Sequence, residues 1–163
     1  MSLETVKMYF AALGRAQDVR EFAVSSATVD LAAQALNVEP ARIAKTLSFQ
    51  NNTDGNCILV VAAGDAKVDN GKFKRHFGLK PKMLTPDEVA QLTGHAVGGV
   101  CPFANPAGVK TCLDISLKRF ATVFPACGSS SSAIELNCDE LYRYAQALEW
   151  VDVCKSWQPE YND

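Results

Sequence analysis

Apolar residues recur at helical spacing over residues 2–13, where Leu3, Val6, Tyr9, Phe10 and Leu13 share a side and Gly14 supplies a stop. The same period predicts a helix over 28–36, with Thr28 as N-cap, a stripe of Leu31, Ala32, Ala35 and Leu36, and a break at Pro40. The period then falls to two. Across 43–49, Ile43, Lys45, Leu47 and Phe49 alternate with Ala44, Thr46 and Ser48, the mark of a strand. Asp54-Gly55 within 51–56 predicts a hairpin turn. Residues 57–63 form an unbroken apolar run, as expected of a strand buried on both faces.

Three further helices announce themselves by their caps. Asp69 can open a helix to Phe77 that Gly78 closes. Thr85-Pro86-Asp87-Glu88 is a capping box with proline at the first helical position, and Gly94 stops that helix. Asn137-Cys138-Asp139-Glu140 opens another box, for a helix expected to reach residue 148. Strands are predicted at 109–114, 121–126, 133–136 and 150–154, and the Gly- and Pro-rich stretch 95–108 is expected to be a loop. Helices and strands mix without strict βαβ alternation, which predicts an α+β fold with a mixed sheet.

Composition narrows the class. The 163 residues suit a single domain, 1–163, with a polar tail from Gln158 that is expected to fray. No apolar run reaches the ~18 residues of a membrane span, and the first residues lack a basic head followed by an apolar stretch, so a cytoplasmic protein without membrane contact is expected. Six cysteines without C-x-x-C spacing and two histidines give no zinc pattern, and neither a metal nor a cofactor is expected. A net charge of −2 excludes a globally basic nucleic-acid binder. It leaves room for a local patch: Lys67, Lys72, Lys74, Arg75, Lys80 and Lys82 stand close together with Asp69 as the only acid. That segment is either a solvated helix face or a phosphate-contacting surface.

Four features can carry chemistry. Lys45 shares its strand phase with apolar residues; it either snorkels to water, pairs with a carboxylate, or offers a cation to a cavity. Gly98-Gly99-Val100-Cys101-Pro102-Phe103 is either an ordinary tight loop or a backbone segment that presents amides to an anion. Cys127-Gly128-Ser129-Ser130-Ser131-Ser132 lies between predicted strands and is either a solvated linker or a turn with hydroxyls facing a pocket. Finally, Cys101 follows His95 by six positions, a pair that would suit acyl transfer.

Together, Ala41-Arg42-Ile43-Ala44-Lys45-Thr46-Leu47, Gly64-Asp65-Ala66-Lys67-Val68-Asp69 and Gly98-Gly99-Val100-Cys101-Pro102-Phe103 resemble the YbaK family, the prolyl-tRNA-synthetase-associated editing domain. The run 116–120, Val123-Phe124-Pro125-Ala126 and Ala133-Ile134-Glu135-Leu136 is similar to one branch of free-standing members, and the resemblance covers roughly residues 5–155. It implies a curved, partly barrel-like mixed sheet with surrounding helices, and hydrolysis of the ester on a mischarged tRNA, tRNA-Pro first among them. It further implies catalytic roles for Lys45 and the backbone of Gly98, Gly99, Val100 and Cys101. Substrate contacts would come from Phe22, Thr46, Pro102, Phe103, Gly128, Ser129, Ser131 and Ser132, and tRNA contacts from Lys67, Lys72, Lys74 and Arg75. The implied partners are the acceptor end of mischarged tRNA and an aminoacyl-tRNA synthetase or elongation factor. In such a reaction the lysine would hold a phosphate or polarise the ester, and loop amides would stabilise the oxyanion, each donor being worth ~3 kcal/mol of barrier. The alternatives are a non-catalytic module that binds an aminoacyl end or small ligand in the same pocket, and a Cys101-dependent acyl transferase.

Overall fold

The computed structural model describes residues 2–23, 28–96 and 98–157. In chain order the elements are α1 (Ser2–Ala12), β1 (Arg20–Glu21), α2 (Val29–Leu36), β2 (Ile43–Asn51), β3 (Asn56–Ala63), β4 (Lys67–Val68), α3 (Asn70–Phe77) and α4 (Pro86–Thr93). They continue with β5 (Lys110–Asp114), β6 (Phe124–Pro125), β7 (Ser132–Ala133), α5 (Cys138–Tyr144), β8 (Glu149–Val151) and β9 (Cys154–Lys155). The fold is α+β. Its main sheet runs β6-β2-β3-β5-β8, antiparallel only between β2 and β3 and parallel elsewhere. Two short antiparallel pairs, β1–β7 and β4–β9, form separate two-stranded sheets.

The apolar run explains the centre. Every residue of β3 from Cys57 to Ala63 is buried, as a strand covered on both faces requires. Helix α1 buries Val6 and Phe10, and Phe10 packs edge-on against Phe103 at 4.8 Å and Tyr144 at 5.8 Å. Burial of such a phenylalanine stabilises the fold by about 1.5–3 kcal/mol. Two satellite clusters lie beside this core. Ala33 of α2 packs with Ile43 and Phe124, and Val89 of α4 packs with Leu84, Leu59 and Cys57.

The caps form as their chemistry requires. Thr28 accepts from Leu31 N–H and Asp69 from Lys72 N–H, while Thr85–Glu88 and Asn137–Glu140 make both bonds of a capping box. Four boundaries differ from the sequence reading. Of the strand expected over 133–136 only β7 and a bridge at Leu136 form, with the Ile134 N–H donating to Pro125 O. The strand expected over 121–126 is only β6, because Pro125 has no N–H to continue a ladder; a bridge between Val123 and Leu136 takes over. The strand expected over 150–154 is two, because the Val153 N–H donates to the buried Asp114 carboxylate at 3.0 Å and the chain turns from β5 toward β4. Helix α5 ends at Tyr144, after which Gln146 takes a φ of 51° and Leu148 N–H donates to Thr111 O.

Candidate active site

A cavity of about 430 Å³ opens where the two satellite clusters fail to meet. Val29, Ala32 and Leu36 of α2 line it, as do Met83, Leu84, Pro86 and Val89 at α4. Residues 43–48 of β2 make the floor. Thr28, Gly98, Val100, Phe124, Ala126, Ser129, Ser132 and Ala133 complete the lining. Thus the strand lysine, the glycine loop and the serine turn, which are far apart in sequence, share one cavity.

Lys45 is held from its far end. Its ammonium donates to the carbonyls of Ala66 and Gly64, the latter at 3.4 Å. Burial is the main influence on its pKa and pushes it below the ordinary lysine value; the Lys67 cation adds to this, and Asp65 opposes it. An ammonium has three donors, so two carbonyls leave one for a ligand. Gly64 allows this arrangement. A Cβ there would fall 2.0 Å from Pro40 O, so only glycine lets the turn after β3 close onto the 40–42 segment. Next to Lys45, Thr46 Oγ1 is buried without a hydrogen-bond partner among the described residues.

The glycine loop is anchored by its apolar end. Phe103 is fully buried against Phe10, Pro102 is buried, and neither lines the cavity. Cys101 is also fully buried, with its thiol 3.6 Å from His95 Nε2 and 3.7 Å from Phe103 O. Burial pushes that thiol up to about 12, so it stays protonated at neutral pH, and the His95–Cys101 pair is an interior contact. Gly99 N–H donates to Ala96 O at 2.9 Å within the turn. Gly98 and Val100 are the loop residues on the cavity wall.

The serines bond mainly to one another. Ser129 Oγ donates to Ser132 Oγ at 2.9 Å, Ser132 Oγ accepts from Cys127 N–H, and Ser131 N–H donates to Ser129 Oγ. The segment is therefore a built turn rather than a solvated linker. Ser129 and Ser132 reach the cavity, while Gly128 sits buried behind them at a φ of 94°. Ser131 contributes its carbonyl to Phe22 N–H at 2.8 Å, and both residues lie outside the cavity lining. Lys67, Lys74 and Arg75 are exposed; Lys72 is committed to Asp152 and to Cys154 O, each at 3.0 Å.

Sequence reasoning missed most of the walls. The apolar face of α2 gave only a helix stripe and Met83–Leu84 drew no assignment, and nothing in either indicated that they line one cavity.

The fold and site define an α+β domain with a curled mixed sheet and an apolar cavity lined by one lysine, a glycine loop and a serine turn. The chain belongs to the aminoacyl-tRNA editing domain family, whose sequence signature matches residues 24–144. Over 158 residues, 97% of this chain and all of its relative, it is 52% identical to YwhH of Bacillus subtilis (strain 168), an uncharacterized protein. The crystal structure of a candidate trans-editing enzyme for prolyl tRNA synthetase superposes with a TM-score of 0.84 at 30% identity, covering 94% of this chain and 97% of that one. A stretch of 84 residues, 51% of this chain, is 37% identical to 14% of the proline–tRNA ligase of Syntrophus aciditrophicus (strain SB). Among the described residues no helix is long and apolar enough to cross a membrane.

Proposed function

We propose that this chain is an aminoacyl-tRNA deacylase that hydrolyses the ester of a mischarged tRNA in trans, with tRNA-Pro as the first candidate. The observation that carries this reading is the convergence of Lys45, Gly98, Val100, Ser129 and Ser132 on one apolar cavity. The terminal nucleotide of tRNA brings phosphate and ester together, and an anchored ammonium suits the phosphate or the carbonyl oxygen. Water attacks the carbonyl carbon, the carbonyl oxygen gains charge, and the ribose oxygen leaves with a proton. Amides of Gly98 and Val100 are the candidate oxyanion donors, since the Gly99 amide is spent within its turn. Lys45 is the one ionisable side chain among the described lining residues, so the base that accepts the water's proton is assigned to the substrate's own groups or to ordered water.

The same fact favours a second reading, a module that binds the aminoacyl end without turnover. Deacylation of a panel of mischarged tRNAs separates the two. The hydrolase reading expects turnover on at least one tRNA and a fall of about 100-fold in Lys45→Ala. Binding without turnover across the panel selects the module. Turnover that Lys45→Ala leaves intact removes the lysine from the mechanism.

A further inference from the structure

The cavity's two backbone walls meet a third segment behind it. Ser2 Oγ lies 2.6 Å from Gly128 O and 2.5 Å from His95 Nδ1. A Cβ on Gly128 would fall 2.6 Å from Ser2 O, and one on Gly99 would fall 2.7 Å from Gly128 O. Backbone therefore stacks on backbone from residue 2 through residue 128 to residue 99, with no room for a side chain between them. His95 is fixed independently. Its N–H donates to Thr93 Oγ1 at 3.1 Å, and that hydroxyl donates to Val89 O inside α4.

Around His95 there are more acceptors than a neutral ring and one serine hydroxyl can serve. His95 Nε2 lies 3.1 Å from Phe103 O, which only accepts, so Nε2 carries a hydrogen. In a neutral ring Nδ1 then accepts, and the single Ser2 proton must serve either Nδ1 or Gly128 O. A second ring proton resolves this: Nδ1–H donates to Ser2 Oγ, and Ser2 O–H is committed to Gly128 O. The titratable group facing the ring is the Cys101 thiol at 3.6 Å, and among the described residues no carboxylate or cation hydrogen-bonds it. Burial lowers the His95 pKa, so the neutral, shared arrangement prevails at neutral pH.

We infer that Ser2 and His95 are positioning residues: a latch behind the cavity that holds the serine turn in register with the glycine loop and grips Gly128 more firmly when His95 takes up a proton. Neither residue lines the cavity. The effect on catalysis rests on the deacylase reading; the latch itself does not.

Two readouts keep these apart. The first is amide hydrogen exchange of the free protein, followed on peptides covering 96–101 and 127–132. Ser2→Ala is expected to lower protection of both about tenfold while leaving β2–β3 peptides unchanged, and Ser2→Thr to restore it. Wild-type protection factors over 127–132 should rise as pH falls through the His95 titration, and those of Ser2→Ala should not. The second readout is deacylation, where Ser2→Ala and His95→Gln should lower kcat about tenfold with KM changed less than twofold. Unchanged exchange in Ser2→Ala overturns the latch, and pH-independent wild-type protection overturns its link to His95. Altered exchange with wild-type kcat overturns the positioning role. A wild-type protein without turnover defeats the deacylase reading, while exchange still decides the latch.

Discussion

Thr46 buries a hydroxyl that finds no hydrogen-bond partner among the described residues. An unmet polar group in the interior costs stability, whereas an isosteric methyl does not. Thr46→Val is therefore expected to leave the free protein as stable as before, or up to about 1 kcal/mol more stable, while weakening binding of a non-hydrolysable aminoacyl-adenosine. Thermal melts with and without that ligand check both halves. Asp65 shows the opposite economy. Arg119 grips its carboxylate with two bonds, at 2.6 and 2.9 Å, and holds its pKa below the usual value of 3.8. A depressed carboxylate stabilises the fold above the unfolded pKa and loses that contribution as pH falls through the folded one. Arg119→Gln should thus lower Tm near neutrality, with the gap to wild type closing below about pH 4.

At this scale the sequence pointed to Lys45 by strand phase, and to Thr46 through the motif they share. It could not reveal how Lys45 is held, because the anchors are the main-chain carbonyls of Gly64 and Ala66, which no side chain announces. The Ser2–His95 contact spans 93 positions and was equally silent.

Local chemistry decided which elements were legible. Helices α2 to α5 begin at the caps their sequences carry, and β2 and β3 form where the alternating and continuous apolar patterns place strands, although Ala44 and Ser48 on the other phase of β2 are buried as well as Ile43 and Phe49. The short margins did not, since β6 and β9 owe their extent to partners brought from elsewhere in the chain. Caps also matter to the cavity. Helix α4 presents Pro86 and Val89 to it, and both capping-box bonds run through Thr85. Thr85→Ala should cost about 1 kcal/mol of stability, read as a lower urea midpoint with unchanged slope.

For the molecule as a whole, a net charge of −2 means that any attraction to RNA must come from a local patch, and the basic segment around α3 is the candidate. Its cations are not equivalent. Lys72 is already paired with Asp152, whereas Lys74 and Arg75 are exposed on the same helix. If that face meets an acceptor stem, Lys74→Ala and Arg75→Ala should each reduce the slope of log affinity against log salt by about one. Lys72→Ala should reduce it less. Fluorescence titration of labelled tRNA at several salt concentrations measures all three.

The buried central strand also shapes how the chain reaches its fold. Residues 58–63, Ile-Leu-Val-Val-Ala-Ala, combine high β-propensity with no charge and no proline. The antiparallel neighbour β2 comes from the adjacent hairpin, but the parallel neighbour β5 lies some fifty residues downstream and must cross a long loop first. Until it docks, one edge of β3 stands open to other copies. Refolding yield should therefore fall steeply with protein concentration, even where equilibrium stability is ample, and the aggregates should be rich in β3 peptides protected from proteolysis.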